Sequence, residues 1–241
     1  MFKTILPVLL VLMAVSCKKE NSALQSSSLK NGLSTTALST DAEGVAAPGA
    51  GLIRIGTQRW MTKNLSVTRY RNGDKIPQVK DSAEWASLTT GAWCYYKNDA
   101  VTGATYGKLY NWYAVNDIRG LAPTGFHIPS DAEWTTLSTF LGGDLLAGGK
   151  MKSTGTIEAV TGLWYSPNTD ATNSTGFTGL PGGYRNNNAV FYYIGYNGYW
   201  WSSTDENSIY AYYRNVSYDN DDLFRAYQYK SYGFSVRCVK D

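Results

Sequence analysis

Residues 121–137, with the sequence L-A-P-T-G-F-H-I-P-S-D-A-E-W-T-T-L, combine a glycine turn, a proline and the start of a helix. Ser130 is a suitable N-cap, and Glu133, three residues later, can accept a hydrogen bond from the backbone amide of Ser130. Apolar residues then follow at helical spacing, at Trp134, Leu137, Phe140 and Leu141. The pattern predicts a helix that buries one apolar face against a sheet and ends at Gly142-Gly143.

Two further elements are predicted earlier in the chain. Asp81 is a second candidate N-cap, and Glu84 lies three residues after it, in Ser82-Ala83-Glu84-Trp85. This repeats the arrangement of Ser130 and Glu133 and predicts another helix. Residues 53–61 alternate apolar and polar positions on both sides of Gly56, which predicts a β-hairpin.

The last part of the chain predicts β-strands. Five runs of aromatic and β-branched residues are separated by turn signals, of which Asn197-Gly198 is one. The runs are Val190–Ile194, Tyr199–Ser202, Ile209–Val216, Phe224–Tyr229 and Phe234–Val239. Between residue 149 and the first run, helix and strand breakers recur every few residues and predict long irregular loops. Two helices followed by an antiparallel meander make an α+β domain.

The amino-terminal residues predict export. Residues 1–16 contain one basic residue, Lys3, and an apolar run too short to cross a bilayer, as is typical of a cleaved secretory signal. Ala14-Val15-Ser16-Cys17 resembles the lipobox of bacterial lipoproteins, in which the cysteine receives lipid, and the following Lys-Lys-Glu is similar to lipoproteins of the Bacteroidetes. We therefore expect an anchor on Cys17 in the bacterial outer membrane, with the protein on the periplasmic face or at the cell surface. The alternative is an ordinary signal peptide that contains a cysteine.

Composition divides the remaining chain in two. All 8 Trp and all 19 Tyr lie between Trp60 and Tyr232, whereas residues 17–50 are mainly small and polar. Such a segment cannot bury enough apolar surface to offset the entropy of ordering it, so residues 17–50 are interpreted as a disordered tether that follows the lipidated cysteine. Residues 51–241 are long enough for one compact domain with a full core.

The net charge bears on the expected partners, and the number of cysteines bears on the expected disulfides. The formal net charge is +3 and only 17% of the residues are charged, which does not favour nucleic acid as a partner. With Cys17 assigned to lipid, Cys94 and Cys238 remain, and an even number of cysteines in an oxidising compartment favours a disulfide between them. The alternative is two separate buried thiols.

Five ordered motifs resemble those of one protein family. They are W-M-T-K-N-L (60–65), Y-G-K-L-Y-N-W (106–112), G-F-H-I-P-S-D-A-E-W (125–134), W-W-S-S-T (200–204) and G-F-S-V-R-C-V (233–239). Over residues 52–241 the chain resembles the Fibrobacter succinogenes major paralogous domain, which is placed among C-type-lectin-like folds. The resemblance implies a lectin-like core with a large loop region and no established general activity. The third motif is also similar to formylglycine-generating-enzyme-like domains.

The residues offer little for catalysis by thiols or histidines. His127 is the only histidine, so no two-histidine metal site or acid/base scheme can form within one chain, and we expect its ring to bond to neighbouring backbone. An oxidase of the formylglycine-generating type would need two thiols placed together. Cys94 and Cys238 are instead far apart in sequence, which argues against that activity.

Acidic turns leave two alternatives open. Carboxylates such as Asp205 and Glu206 could serve a glycoside hydrolase. Asp219, Asp221 and Asp222 are weak candidates for calcium ligands, since calcium prefers several carboxylate and carbonyl oxygens. The sequence signatures of calcium-dependent sugar-binding lectins are absent, and Asp-rich turns are common for backbone reasons alone. We therefore expect neither a metal nor a cofactor.

Tyrosine and asparagine provide the main functional signal. Aromatic rings stack on sugars and are favoured at protein interfaces, while neighbouring amides bond to hydroxyls. The candidate ligand-binding residues are Tyr184, Arg185, Asn186, Asn188, Tyr192, Tyr196 and Tyr199. We expect a monomeric, lipid-anchored binding or adhesion module for polysaccharide or another surface protein. The alternatives are an enzyme of the formylglycine-generating or glycoside-hydrolase kind and a structural envelope component without a ligand.

Overall fold

The computed structural model describes residues 51–241. The predicted signal segment, the lipid on Cys17 and the tether of residues 17–50 lie outside these described residues. The described chain has an α+β fold with antiparallel strand pairs and five α-helices. None of the helices in this part of the chain is long and apolar enough to cross a membrane.

The elements follow one another in a mixed order along the chain. They are β1 (Leu52–Ile55), β2 (Gln58–Met61), α1 (Ser82–Ala86), β3 (Trp93–Cys94), α2 (Ala100–Tyr106), β4 (Leu109–Tyr110), α3 (Trp112–Val115), β5 (Phe126–His127), α4 (Asp131–Phe140), α5 (Asp144–Met151), β6 (Gly182–Arg185), β7 (Phe191–Ile194), β8 (Asn197–Asp205), β9 (Tyr210–Ser217), β10 (Phe224–Tyr229) and β11 (Val239–Lys240). A short 3-10 helix at Tyr96–Asn98 precedes α2.

The strands form four sheets. The first has the order β1-β2-β11-β5 and the second has the order β10-β9-β8, while β3-β4 and β6-β7 are two-stranded. The hairpin of β1 and β2 confirms the predicted turn, because Ile53 pairs with Trp60 and Gly56 takes a φ of 60°. Glycine tolerates this left-handed conformation without the steric cost that other residues incur.

Both predicted helix starts are confirmed. The Asp81 carboxylate accepts a hydrogen bond from the amide of Glu84 at 2.8 Å and caps α1. At α4 the Ser130 hydroxyl accepts from the amide of Glu133 at 3.2 Å, and the Glu133 carboxylate accepts from the amide of Ser130 at 2.8 Å. This reciprocal capping box satisfies two amides that a helix start otherwise leaves unpaired.

The apolar face of α4 differs from the prediction at one residue. Trp134, Leu137 and Leu141 are buried, but Phe140 is 63% exposed. Its ring lies over the hairpin turn, where a Cβ on Gly56 would come within 3.0 Å of it. Phe140 therefore contacts the β1–β2 turn rather than the core that Trp134, Leu137 and Leu141 enter.

Helices α2, α3 and α5 are not evident from the sequence pattern. In α5 the glycines that suggest a loop are required by packing, because a Cβ on Gly148 would lie 2.2 Å from the carbonyl oxygen of Asp222. The Gly149 amide also donates to the carbonyl of Asp221 at 3.1 Å. Close contact with this loop therefore stabilises a helix whose glycines have low helix propensity.

The meander is confirmed for three strands and corrected for the others. β8 pairs with β9 and β9 pairs with β10, all antiparallel. β7 instead pairs with β6, a strand that the sequence pattern does not reveal. Asn197-Gly198 does not form a turn, since Asn197 opens β8 opposite Ser217 and the chain reverses at Gly195, where φ is 82°.

The predicted strand Phe234–Val239 is mostly irregular. Only β11 is a regular strand, and the preceding residues make single bridges to several sheets. Gly233 bridges Arg185, Phe234 bridges Tyr110, and Ser235 bridges Trp200. Since each residue bonds to a different neighbour, the segment joins the sheets rather than extending one of them.

The core consists of three apolar clusters, and the two cysteines lie in different ones. Cys238 packs with residues such as Tyr110 and Trp201, whereas Cys94 packs with Val79 and Trp85. The predicted disulfide is therefore absent, and both residues are free, buried thiols. Burial raises the pKa of each thiol to about 12, which keeps both protonated and unreactive at neutral pH.

Candidate functional site

A tyrosine-lined cleft lies where β8 begins and β9 ends. It has a volume of about 490 Å³. We call it the tyrosine cleft, and it is lined by Tyr193, Tyr196, Asn197, Tyr199, Ser217, Tyr218 and Asp219. Four aromatic rings, an amide, a hydroxyl and a carboxylate thus face the same space.

Strand register places these residues together. Asn197 in β8 pairs with Ser217 in β9, so their side chains share one face of the sheet, and Tyr199 lies on that face two residues further along. Just beyond the paired residues, the amide of Tyr218 donates to the carbonyl of Tyr196 at 2.9 Å. The two rings beyond the sheet end therefore meet edge to face, with centroids 5.2 Å apart.

Tyr193 reaches the cleft from a strained backbone position. Its φ is 62°, in the left-handed region that bulky residues rarely adopt. Such a conformation costs on the order of 1–3 kcal/mol and persists only where surrounding structure enforces it. The side chain remains 51% exposed, so burial of its ring does not account for the strain.

A group of packed aromatic rings supports one wall of the cleft. Tyr184 contacts Tyr193 at 5.9 Å and Tyr199 at 5.0 Å between ring centroids, and stacks on Tyr232 at 5.6 Å. Burial is the main cause that raises the pKa of Tyr184 to about 12 and that of Tyr199 further above its ordinary value. These phenols are therefore neutral hydrogen-bonding groups at any physiological pH.

The polar atoms of the cleft are largely free to bond to a ligand. Within residues 51–241, no protein atom is hydrogen-bonded to the hydroxyls of the four cleft tyrosines. One oxygen of Asp219 accepts from the Ser217 hydroxyl at 2.6 Å and from the Asn220 amide group at 3.1 Å. Its other carboxylate oxygen has no partner among the described residues.

The predicted ligand-binding residues divide into two groups. Tyr196 and Tyr199 line the cleft, Tyr184 supports it, and Tyr192 lies beside Tyr193 with centroids 6.1 Å apart. Asn188 is exposed. Asn186 is used locally, because its side-chain oxygen accepts from the amide of Val190 at 2.8 Å.

Arg185 is a structural residue rather than a ligand-binding one. Its side chain is fully buried and lies between the rings of Trp85 and Phe191, at 4.5 and 5.0 Å. The guanidinium donates to the carbonyl oxygens of Val79, Lys80, Asp81 and Ala189. Since all of its contacts are internal, it cannot reach a ligand, and the prediction for this residue is wrong.

A lysine, rather than a metal, organises the acidic loop beside the cleft. Lys152 is fully buried, and its ammonium donates at 2.7–2.8 Å to the carbonyl oxygens of Thr169, Ser217 and Asn220. Burial lowers the pKa of Lys152 to about 8. The carboxylates of Asp221, Asp170 and Asp219 act in the opposite direction and raise the pKa, but burial has the larger effect. The ammonium thus takes the carbonyl ligands that a cation in this loop would need.

The calcium candidates do not converge on a site. Within the described residues, no three His, Cys, Asp or Glu side chains gather in a metal-binding group. Asp219, Asp221 and Asp222 therefore do not form the site that their spacing suggested as an alternative. Of the three, Asp219 is the one that lines the tyrosine cleft.

His127 bonds to carboxylates rather than to neighbouring backbone. Its Nδ1 lies 2.7 Å from the Asp241 carboxylate and its Nε2 lies 2.6 Å from the Glu133 carboxylate. Burial disfavours the charged ring, but these two contacts outweigh burial and raise the pKa of His127 above its ordinary value of 6.5. The ring links β5, α4 and the residue that follows β11, which is a structural role.

Asp205 and Glu206, the carboxylates that the sequence offered for hydrolysis, do not form a site. Asp205 pairs with Lys230 at 3.2 Å, and Glu206 follows it in the β8–β9 turn, where its amide donates to Tyr210. Neither residue lines the tyrosine cleft. The structure therefore offers no support for these two residues as a catalytic pair.

A second hollow, of about 610 Å³, lies at the β1–β2 turn. Its lining consists of Arg54, Ile55, Gly56, Thr57, Thr136, Thr139 and Phe140. Its walls come from the hairpin and, on α4, from two threonines and one exposed ring. It lacks the converging rings and carboxylate of the tyrosine cleft, so it is the weaker candidate for a site.

Sequence reasoning missed the β9 side of the cleft. Ser217 is the last residue of β9 and Tyr218 follows it, and the position of both in the cleft depends on the β8–β9 register. Interpreting Asn197-Gly198 as a turn hides that register. The register also shifts between Trp201 and Asp205, and this irregularity, which the pattern does not predict, brings Ser217 opposite Asn197.

The fold and the cleft together define an α+β domain with an aromatic surface site. The family model of the Fibrobacter succinogenes major domain matches residues 53–240. The chain therefore belongs to this family, as the motifs indicated. No curated protein and no solved structure shows a significant match to the chain.

Proposed function

We propose that this protein is an exported, lipid-anchored binding module that recognises a polysaccharide through the tyrosine cleft. The observation that carries the proposal is the cleft itself, in which four tyrosine rings converge with an amide, a hydroxyl and a carboxylate. A site of this composition suits sugars, since ring faces cover the apolar faces of pyranoses while the polar groups bond to their hydroxyls.

The size and openness to solvent of the cleft favour a polymer over a small metabolite. Tyr193 and Tyr196 are 51% and 39% exposed, so the rings are accessible from outside. Binding sites for small molecules bury most of the ligand surface. A cleft with accessible rings instead suits a few consecutive units of a chain that continues beyond it.

The fold supports the same proposal by analogy. We infer a C-type-lectin-like arrangement, in which a strand near the carboxyl end pairs with an early hairpin and long loops carry the binding residues. The pairing of β11 with β2 and the loop that holds Lys152 are consistent with it. Fold analogy alone does not establish function, so the cleft remains the main support.

Glycan retention tests the proposal. The purified chain is passed over insoluble and soluble polysaccharides, and Tyr196→Ala and Tyr218→Ala are compared with Tyr227→Ala, an exposed residue outside the cleft. We expect each cleft variant to lose roughly tenfold or more in affinity, as for a central contact residue, and the control to bind normally. Failure to retain any glycan would overturn the proposal.

The anchor has a separate test. Cys17 follows an apolar signal-like segment and a small residue, and we infer that it carries the lipid which holds the protein at the outer membrane. Several acyl chains on one residue give effectively permanent attachment. Radiolabelled palmitate should be incorporated into the wild-type chain and not into Cys17→Ala, and equal labelling of both would refute the anchor.

A further inference from the structure

The two sides of the tyrosine cleft are separate pairs of rings. Tyr196 and Tyr218 contact each other on one side, while Tyr193 and Tyr199 are both packed on Tyr184 on the other. In the described part of the chain, no ring of one pair stacks on a ring of the other. One face of Tyr196 is covered by Tyr165, with centroids 4.4 Å apart, and one face of Tyr199 is covered by Phe234 at 5.1 Å. No second ring among the described residues stacks on either of them, so each keeps one face that a ligand can contact.

The ring faces of the cleft are free of protein cations. Elsewhere in residues 51–241 cationic side chains lie over aromatic rings, for example Arg225 over Tyr212 at 4.1 Å and Lys230 over Trp112 at 4.4 Å. None of the four cleft tyrosines has such a contact among the described residues. No Lys or Arg side chain lines the cleft either.

The local charge is negative although the chain as a whole is positive. Asp219 lines the cleft, and Asp170 and Asp221 lie close enough to act on the same buried ammonium, that of Lys152. Asp219 is the one charged residue in the lining of the cleft, so the cleft itself carries a negative charge, whereas the whole chain carries +3. The Lys152 ammonium faces the carbonyls behind the loop and does not line the cleft.

We propose that the tyrosine cleft selects polysaccharides that bear free amines, with the ammonium of an amino sugar between the tyrosine rings and paired with Asp219. Aromatic rings attract cations through their π faces, and a charged hydrogen bond to a carboxylate is stronger than a neutral one. The unpaired oxygen of Asp219 is the acceptor for this bond. Asn197 and Ser217 remain for the hydroxyls of the same sugar.

This inference rests on the proposed function and specifies its ligand. Calorimetric titration of the purified chain at about pH 6 compares a tetramer of glucosamine with the same tetramer fully N-acetylated, which differs only in charge and acetyl groups. We expect the cationic tetramer to bind about tenfold more tightly than the neutral one. Tetramethylammonium chloride should compete with the cationic tetramer beyond the effect of an equal concentration of sodium chloride.

Variants separate the charge from the rings. Asp219→Asn keeps a side-chain oxygen to accept from Ser217, so the fold is preserved. It should weaken binding of the cationic tetramer far more than binding of the neutral tetramer, so that the preference between the two is lost. Asp222→Asn, in the same loop but outside the cleft lining, is the matched control and should keep the preference.

The outcomes distinguish this inference from the function it rests on. Equal affinity for the two tetramers, or a preference that survives in Asp219→Asn, overturns the amino-sugar inference and leaves glycan binding in place. If an oligolysine peptide competes for the cleft as strongly as the cationic tetramer does, the cleft is assigned to peptides, and the amino-sugar inference is again overturned. Absence of binding to either tetramer and to all other polysaccharides overturns both proposals.

Discussion

At the scale of single residues, this domain uses buried cations to satisfy its irregular backbone. Long loops leave carbonyl groups without the partners that helices and sheets provide, and buried carbonyls need them. Arg185, Arg237 and Lys152 are each fully buried and donate to such carbonyls rather than to carboxylates. The positive charges inside the protein are therefore structural, and they do not indicate an anionic ligand.

Replacing Lys152 by methionine tests this role. The variant keeps the length of the side chain but leaves three buried carbonyls without a donor. We expect a loss of about 3 kcal/mol in the free energy of unfolding, since each buried unpaired polar group costs about 1–3 kcal/mol. Urea denaturation measures the loss, with Lys63→Met at an exposed position as the control. A variant as stable as this control would contradict the role.

The same residue makes a prediction about calcium. Because the Lys152 ammonium already binds the loop carbonyls, we expect the melting temperature to be unchanged by excess calcium or by a chelator. Anything that binds only the native state raises the apparent stability, so thermal unfolding with and without calcium is a direct measurement. A rise in the melting temperature that depends on Asp219 or Asp221 would restore the calcium alternative.

At the scale of elements, the start of α4 is joined to the strand that ends the fold. The capping glutamate Glu133 also contacts His127 of β5, and the other nitrogen of that ring contacts Asp241, next to β11. A neutral imidazole has one donor and one acceptor nitrogen, so it can bond well to only one carboxylate. The two contacts together require the protonated ring.

Stability should therefore depend on pH through His127. Its pKa is raised in the folded state, so its contribution is full below the unfolded value of about 6.5 and is lost as the pH rises through the raised value. We expect the difference in unfolding free energy between wild type and His127→Gln to be larger at about pH 6 than at about pH 9. Because the two proteins differ only at residue 127, the contributions of other groups that titrate in this range cancel in the difference. An equal difference at both values would show that the ring is not charged.

The sequence predicted elements best where local chemistry decides them. The Asp81 and Ser130 caps, the turn at Gly56 and β10 each depend on a few adjacent residues, and all are present. Helix α5 depends instead on contact with a distant loop, which helix propensity does not include. Arg185 likewise appeared to be a surface residue in a polar stretch until its partners in the segment 79–81 were known.

At the scale of the whole molecule, the proposed binding surface arises from sheet pairing. The tyrosines of β7 and β8 could be predicted as a group from their density in the sequence, and two predicted residues, Tyr196 and Tyr199, line the cleft. Residues 217–219 complete the lining, and only the β8–β9 register brings them there. The sequence suggests Asp219, the carboxylate that we propose selects the ligand, only as a weak metal ligand, because Tyr193, Tyr196 and Tyr199 are distant from it in sequence.

The segment 233–239 should be essential for folding. It contacts all four sheets, through Arg185, Tyr110, Trp200 and the strands beside β11. We expect a chain that ends at Tyr232 to lack a cooperative thermal transition, because it loses partners for each sheet at once. Circular dichroism during heating is the measurement. A chain that lacks only residues 240–241 is the control and should still unfold cooperatively, and cooperative unfolding of the shorter chain would contradict the expectation.

The same segment determines when folding can finish during biosynthesis. The ribosome produces the amino end first, so the opening hairpin emerges long before Gly233 and the residues that bridge it to the other sheets. Such distant pairings form late and slowly. The domain therefore stays unfolded until the ribosome has made this segment, and an unfolded chain is the state in which the export that we propose would pass a narrow secretion channel.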